Sequence, residues 1–125
     1  MYIFHPSAIT DEIFIEHLTE QGVTSGKHTK FFDFTKTTID TTRPWLLGNG
    51  DYCKIGGVIV LTHDYSRSVL RRVYGQVLPE AGKTVIGDNV FIGMNSIILM
   101  GVHIDNNVII VAGSVVSGQL KDISV

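Results

Sequence analysis

The 125-residue sequence has one cysteine, little charge and no long apolar run. A lone cysteine, Cys53, excludes an intramolecular disulfide, and without a cysteine cluster we expect no structural zinc site. Ten Lys and Arg stand against twelve Asp and Glu, so the basic excess typical of nucleic-acid-binding proteins is missing. The apolar stretches are too short to cross a membrane, and the first residues lack the pattern of a signal peptide. These absences predict a cytoplasmic protein that binds neither nucleic acid nor a membrane.

Glycine and branched aliphatic residues are abundant in this chain. There are 13 glycines but only three prolines, and Val, Ile and Leu together account for 37 of the 125 residues. The β-branched side chains fit strands better than helices. They are densest between Thr84 and Val116, so we expect this region to be built from strands.

An apolar residue recurs at every sixth position in the C-terminal half of the chain. The positions are Ile86, Ile92, Ile98, Ile104, Ile110 and Val116. A period of six fits neither a helix of 3.6 residues per turn nor a hairpin meander. It predicts short strands joined by corners, three per coil of a narrow solenoid, with the repeated residue pointing inward. The same frame extends upstream to Leu47, Cys53 and Ile59, which predicts Cys53 as a small buried residue rather than a nucleophile.

Two segments depart from the six-residue frame. Residues 64–83 lack the repeated apolar positions, which predicts an excursion loop of the kind that often builds a binding face. Near the N-terminus, Thr10 to Gly22 predicts a helix, with Thr10 as N-cap and Gly22 as the stop. Its apolar residues are expected to cover the open first coil; they are Ile13, Phe14, Ile15 and Leu18.

The predicted organisation is therefore a single domain over residues 1–125. It comprises an N-terminal helical cap at 1–32, coils at 33–63 and 84–118, and the excursion loop at 64–83.

Four blocks of the sequence resemble the hexapeptide-repeat acyltransferases. The blocks are TTIDTTRPWLL at 37–47, VLTHDYS at 60–66, TVIGDNVFIGMNSIILMGV at 84–102 and VIIVAGSVV at 108–116. The similarity is to the branch that contains galactoside, maltose and xenobiotic O-acetyltransferases, often linked to the synthesis of surface polysaccharides such as lipopolysaccharide. It implies an all-β, left-handed parallel β-helix, a homotrimer with active sites between subunits, and acetyl-CoA as co-substrate without a metal. The implied reaction moves an acetyl group to a hydroxyl of a sugar or glycan precursor.

The resemblance also implies a role for His63 within THDYS. In the family, the histidine at this point of the pattern is the general base that removes the proton from the acceptor hydroxyl. An imidazole that titrates near neutral pH suits this task because an alcohol is a poor nucleophile. Read without the motif, a histidine after an apolar run is more often a hydrogen-bonded structural residue. Asp64 is not expected to bond His63 directly, since neighbours on an extended strand point to opposite faces.

The resemblance also implies which residues contact the acceptor and the coenzyme. The resemblance places polar groups that contact the acceptor at Asp33 and Asp40, although a solvated or turn-capping aspartate is an equal alternative. Phe91 stands where many relatives have a tryptophan flanking the acetyl pocket. Positions that contact the coenzyme through their backbone match Gly93, Ala112 and Ser117.

A second hypothesis follows from the C-terminus. The chain ends at Val125, before the segment that closes the last coil in relatives, which is compatible with a shortened, weakly active or inactive trimeric scaffold. A zinc hydrolyase on the same solenoid is disfavoured, because His63 and His103 have no third histidine at a suitable spacing. The identity of the acceptor, including hydroxyl against amine, stays open at this point.

Overall fold

The computed structural model describes residues 11–32, 36–42, 44–63, 66–75 and 82–122. Helix α1 spans Asp11–Glu20 and helix α2 spans Arg71–Tyr74, with 3-10 turns at Pro44–Leu46 and Ser66–Leu70. The strands have two or three residues each: β1 Thr24–Ser25, β2 Lys30–Phe31, β3 Thr38–Ile39, β4 Leu47–Asn49, β5 Lys54–Ile55, β6 Ile59–Val60, β7 Thr84–Ile86, β8 Val90–Ile92, β9 Ile97–Ile98, β10 His103–Ile104, β11 Val108–Ile110, β12 Val115–Val116 and β13 Gln119–Leu120.

Successive strands belong to three different parallel sheets. Sheet A has the order β1-β4-β7-β10-β13, sheet B the order β2-β5-β8-β11, and sheet C the order β3-β6-β9-β12. The chain therefore turns around three sides and each coil pairs with the next. This is a left-handed parallel β-helix, which confirms the predicted fold class. In the pairing, Ile86 lies opposite Ile104 and Ile98 opposite Val116, so one coil takes 18 residues, or three steps of six.

The predicted inward positions form the core of this β-helix. All six repeated residues from Ile86 to Val116 are buried. A second set of small or β-branched residues lies two positions before them and is also buried; it consists of Thr84, Val90, Ser96, Val102 and Val108. Side chains two apart on a strand share a face, so each short strand places two side chains inside. The narrow interior explains why one of the two is small.

Upstream of the excursion, the predicted frame is wrong at Ile59. Leu47 and Cys53 are buried as expected, but Ile59 is 38% exposed and lies beside Ile97 on the outer face of sheet C. The residues paired with the inward positions of the next coil are Asn49, Ile55 and Val60. The step from Ile55 to Val60 has five residues instead of six. A shift of one residue moves a strand's side chains to the opposite face, which turns Ile59 outward.

Cys53 is fully buried at the smaller inward position, in agreement with its predicted structural role. Its thiol donates a hydrogen bond to the carbonyl oxygen of Gly87 at 3.1 Å. Burial raises the pKa of the Cys53 thiol. A protonated thiol of this kind packs as a small apolar group.

Helix α1 covers the first coil, as its apolar spacing predicts. Leu18 is buried, and the ring of Phe14 meets the ring of Phe31 edge-on with 5.0 Å between centroids. Ile13 is exposed and takes no part in the cover. Gly22, at a φ of +102°, ends the helical segment in a conformation that L side chains rarely adopt. Strand pairing then begins at β1, ahead of the predicted start of the coils at residue 33.

The excursion interrupts the β-helix between sheets C and A. Leu47 pairs with Thr84, so paired positions of these two adjacent coils are 37 residues apart in the sequence rather than 18. The chain leaves after β6 and carries the 3-10 turn and α2 before it returns at β7. Val69, Val73 and Tyr74 of this segment are exposed. In the described part of the chain, neither α-helix has the length and hydropathy that a membrane crossing requires.

A charge inside the stacked ladder tests the frame. We expect Ile104→Asp to lower the free energy of unfolding by several kcal/mol, because an unpaired carboxylate replaces a side chain in the dry interior. The matched control is Ile109→Asp, at an outward position of β11, which should remain folded. Urea unfolding followed by circular dichroism measures both. Equal stability of the two variants would contradict the assignment of inward positions.

Candidate functional site

His63 lies at the corner where the chain leaves sheet C for the excursion. It follows β6 by three residues, while Asp40 directly follows β3 in the preceding coil. Because Ile39 pairs with Val60, the two strand ends lie side by side. The distance from Nδ1 of His63 to Oδ2 of Asp40 is 2.5 Å. Stacking of the coils thus joins two side chains that are 23 residues apart in the sequence.

The carboxylate of Asp40 is held by two threonines. Its Oδ2 accepts hydrogen bonds from the backbone N–H and the hydroxyl of Thr62, at 3.1 and 2.8 Å. Its Oδ1 accepts from the backbone N–H and the hydroxyl of Thr42, at 3.1 and 2.7 Å. We call Asp40, Thr42, Thr62 and His63 the His63 cluster. The four bonds occupy both oxygens of a side chain that is only 6% exposed.

These bonds decide the charge of Asp40. Burial alone raises the pKa of a carboxyl, but the hydrogen bonds from Thr42 and Thr62 outweigh burial and hold the pKa of Asp40 well below its usual range. Asp40 is therefore ionised throughout the physiological pH range.

An ionised Asp40 also decides which nitrogen of His63 carries the proton. A carboxylate only accepts hydrogen bonds, so Nδ1 of a neutral His63 is the donor to Oδ2. The lone pair of the neutral ring is then on Nε2. The side chain of His63 is 22% exposed, so the ring is accessible from outside the β-helix. The cluster has the arrangement of an oriented general base, in which a carboxylate holds one nitrogen while the other accepts a proton.

His63 and Asp40 were both predicted as site residues, but their contact was not predicted. Asp40 was expected to contact the acceptor, and Asp64, for which no direct bond to His63 was expected, lies outside the described residues. The acceptor role of Asp40 stays a prediction, whereas its geometry makes it the partner of His63. Thr42 and Thr62 were missed, although they follow the strand ends Ile39 and Val60 by three and two residues. The spacing of 21 residues from Ile39 to Val60, instead of 18, hid the pairing.

The three residues predicted to contact the coenzyme are divided between two corners. Gly93 and Ala112 meet at the corner between sheets B and C, where a Cβ on Gly93 would lie 2.4 Å from the backbone nitrogen of Ala112. Only glycine permits this close approach of two coils. Ser117 follows β12 and is exposed at the corner between sheets C and A. It lies on the same edge of sheet C as His63 but two coils further along the β-helix. The coenzyme roles of all three residues stay predictions.

Phe91 and Asp33 were predicted to contact the acceptor. Phe91 is the outward residue of β8 on sheet B, between Lys54 and Ile109, and is 43% exposed. It therefore lies on a different side of the β-helix from the His63 cluster. Asp33 lies outside the described residues. Both roles stay predictions.

Other histidines are spread over the molecule. His103 is exposed, and His28 stacks on Tyr52 with 4.9 Å between ring centroids. Within the described ranges, no group of three or more His, Cys, Asp or Glu side chains is arranged to hold a metal ion.

Comparison with known proteins gives a family match and structural relatives. Residues 83–118 match the profile of the family described as bacterial transferase hexapeptide (six repeats). Protein CapG of Staphylococcus aureus is 37% identical over 88 residues, which cover 70% of this chain and 50% of CapG. The chain thus spans about half the length of that relative.

Two solved structures share the fold. A hexapeptide-repeat containing acetyltransferase from Vibrio cholerae superposes with a TM-score of 0.57 at 23% identity, covering 80% of this chain and 54% of that one. Serine acetyltransferase isoform 3 from Entamoeba histolytica, solved in complex with cysteine, gives a TM-score of 0.58 at 17% identity, covering 91% of this chain and 37% of that one. At these identities the likeness shows the fold. Residues 83–118 therefore carry hexapeptide repeats of the bacterial transferase kind, and the chain folds as a left-handed β-helix.

Acid titration tests the charge of Asp40. Its pKa is lowered on folding, so the stability it contributes is present above the pKa of an unfolded aspartate, about 3.9, and is lost as the pH falls below that value. We expect Asp40→Asn to cost about 1–3 kcal/mol of unfolding free energy at neutral pH. The difference from the wild type should narrow below about pH 4.

The measurement is urea unfolding between pH 7 and pH 3. Asp105→Asn serves as control because Asp105 is exposed, and its curve should follow that of the wild type. A difference between wild type and Asp40→Asn that stays constant with pH would show that Asp40 is not held as a charged group.

Proposed function

We propose that the chain transfers an acetyl group from acetyl-CoA to a hydroxyl of a sugar or glycan precursor, with His63 as the general base. The observation that carries the proposal is the contact of His63 Nδ1 with the buried, ionised Asp40, which makes Nε2 the proton acceptor. Two further facts support it: the hexapeptide repeats match a transferase family, and acetyltransferases share this fold.

The proposed reaction needs no covalent enzyme intermediate. Nε2 of His63 removes the proton of the acceptor hydroxyl while the oxygen attacks the carbonyl carbon of the thioester. The carbonyl oxygen becomes negative and is stabilised by backbone N–H groups at a coil corner. The carbon–sulfur bond then breaks, and the imidazolium returns its proton to the departing thiolate. The products are the acetyl ester and coenzyme A.

Asp40 contributes in two ways. It fixes the tautomer and orientation of His63 before the acceptor arrives, and its negative charge stabilises the imidazolium that forms during the reaction. Thr42 and Thr62 keep the carboxylate in place through four hydrogen bonds, so little reorganisation accompanies the proton transfer. Asp40 and the two threonines are therefore positioning residues that act through His63.

Substrate contacts complete the proposal. We assign acetyl-CoA to the two edges of sheet C, along the backbone of Gly93, Ala112 and Ser117. Ala112 and Ser117 support the assignment because they have small side chains and lie at the surface, whereas Gly93 is buried beneath Ala112. Asp33 and Phe91 are proposed to contact the acceptor, in a site that a neighbouring subunit completes.

The decisive experiment for the activity is removal of the His63 imidazole. We expect His63→Ala to leave folding and acetyl-CoA affinity nearly unchanged but to slow acetyl transfer by about 10²–10⁴-fold, the usual contribution of a positioned acid–base group. Steady-state acetyl transfer, screened over sugars and nucleotide sugars, measures the rate.

Two further variants separate proton transfer from hydrogen bonding and from fold. His63→Asn should be as slow as His63→Ala, since an amide binds a hydroxyl but does not take its proton. Asp40→Asn should slow transfer through His63 alone, so the double variant Asp40→Asn/His63→Ala should be no slower than His63→Ala. Equal rates for wild type and His63→Ala would eliminate His63 as the base and favour an inactive scaffold.

A homotrimer is the proposed assembly, with the excursion reaching toward a neighbour. The exposed apolar side chains of Val69, Val73 and Tyr74 support it, because a second copy would bury them. We expect light scattering at micromolar concentration to give three times the monomer mass of 13.8 kDa. Val69→Asp/Val73→Asp should dissociate the assembly while each chain keeps its β-sheet spectrum. A monomeric wild type would contradict this assembly.

A further inference from the structure

A second surface feature, not used in the chemistry above, lies on the outer face of sheet A. It is a groove of about 360 Å³, within the ~300–1,000 Å³ range typical of small-molecule sites. Its floor is the row of outward residues Thr24, Gly48 and Val85, which pair with one another across three coils. Gly48 has no side chain, and a Cβ there would meet Thr24 only at 3.7 Å. The missing side chain lowers the middle of the floor.

One wall of this groove is an exposed aromatic ring. Trp45 lies in the 3-10 turn before β4, lines the groove and is 68% exposed. It is the only tryptophan in the chain. An indole provides a broad, rigid apolar face with little side-chain entropy to lose on binding. The apolar face of a pyranose ring suits such a surface, and the hydroxyls on its rim stay free for polar partners.

The other wall carries a positive charge. Lys83 is exposed, lines the groove and forms no salt bridge with any residue in the described ranges. A lysine ammonium binds phosphate as a point charge. Asp88 lines the groove as well, and one of its oxygens already accepts the backbone N–H of Asp51 at 2.7 Å. One cation beside one carboxylate complements a sugar that carries a phosphate-bearing substituent, because the lysine can bind the phosphate and the carboxylate can accept a sugar hydroxyl.

Both walls of the groove are connected along the chain to the corner that holds His63. The backbone N–H of Gly82, next to Lys83, donates to the carbonyl oxygen of Thr62 at 2.9 Å, one residue before His63. Trp45 in turn follows Thr42 by three residues, and the hydroxyl of Thr42 lies 3.2 Å from Nδ1 of His63. Lys83 and Trp45 are therefore each within three residues along the chain of a contact with the His63 cluster.

We propose that this groove binds the acceptor as a glycosyl phosphate, with the sugar ring on Trp45 and the anomeric phosphate or diphosphate on Lys83. The remaining oxygen of Asp88 accepts a hydrogen bond from a hydroxyl of the ligand. This inference rests on the proposed function, because it names the class of acceptor that His63 deprotonates. Two sources share this chemistry, a nucleotide sugar and a lipid-linked sugar diphosphate.

The fluorescence of Trp45 reports binding in the groove. In the absence of acetyl-CoA, tryptophan fluorescence is followed while the 1-phosphates of glucose, galactose, mannose and N-acetylglucosamine are titrated, each against its free sugar. We expect a saturable change with at least one sugar phosphate and about tenfold weaker binding of the matching free sugar, as a charge-assisted contact implies. The preference should weaken as salt is added.

Matched variants locate the binding. Lys83→Met should remove the roughly tenfold preference for the phosphate, whereas Lys30→Met, an exposed lysine on sheet B, should keep it. Trp45→Leu, measured by calorimetry, should abolish binding, whereas Tyr52→Leu, an exposed aromatic at another corner, should not. Binding of UDP-glucose in place of the sugar phosphate points to a nucleotide sugar. Binding of a short-chain isoprenyl diphosphate sugar alone points to a lipid-linked acceptor.

Three results would overturn the inference: no saturable change with any of the four sugar phosphates, equal binding of free and phosphorylated sugars, or equal effects of Lys83→Met and Lys30→Met. The outcome is independent of the proposed reaction. Sugar-phosphate binding without acetyl transfer would refute the activity and keep the groove. Transfer to neutral sugars at a rate that Lys83→Met leaves unchanged would refute the groove and keep the activity.

Discussion

Hydrogen bonding between equivalent strands of successive coils is the constraint on which this structure depends. Strands of two or three residues have no stability of their own, and each exists because the coils on either side pair with it. The pairing stacks the inward aliphatic residues into one continuous core. It also brings the corners of the coils into line, so that residues far apart in the sequence stand above one another.

The His63 cluster is a direct consequence of that alignment. Asp40 and His63 each follow a strand of sheet C, and the cluster forms because those strands lie side by side. Burying a carboxylate costs free energy, and here four threonine hydrogen bonds offset the cost and keep the charge. A base oriented in this way stands at the edge of a sheet, beside the end of a paired strand. The excursion begins directly after it, which leaves the ring accessible while its partner is buried.

The outer faces of the three sheets have different chemistry although their backbones are alike. The groove on sheet A has Gly48 in its floor, whereas a groove of similar volume on sheet B is lined by the larger side chains of Phe91 and Ile109. Most inward positions are apolar or small, and the inward amide of Asn49 is hydrogen-bonded to the carbonyl oxygen of Gly50. The outward positions are not restricted in this way. Sites for substrates and for other subunits are therefore expected on the outward rows and corners, and the proposals for acetyl-CoA, the acceptor and the trimer all use them.

Much of the fold was predictable from the chain alone. From Ile86 to Val116, every sixth residue is buried. Each coil has three sides of six residues, so every sixth residue takes the same inward position on the next side. The cap by α1 followed from its apolar spacing and from Gly22. His63 was predicted as the general base from its motif, since the residues around it form a recognisable block, and that role stays a prediction. In each case the signal lies within a short stretch of sequence.

Where the coils differ in length, only the tertiary structure decided which residues point inward and which residues contact each other. The five-residue step between Ile55 and Val60 turned Ile59 outward, against the extrapolated frame. The 21-residue separation of Ile39 and Val60 placed Asp40 beside His63, a contact that the repeat period did not predict. The groove of Trp45 and Lys83 likewise joins residues separated by the whole excursion. A sequence period locates a residue within its own coil, but contacts between coils depend on register, and register is set by the hydrogen bonds of the folded chain.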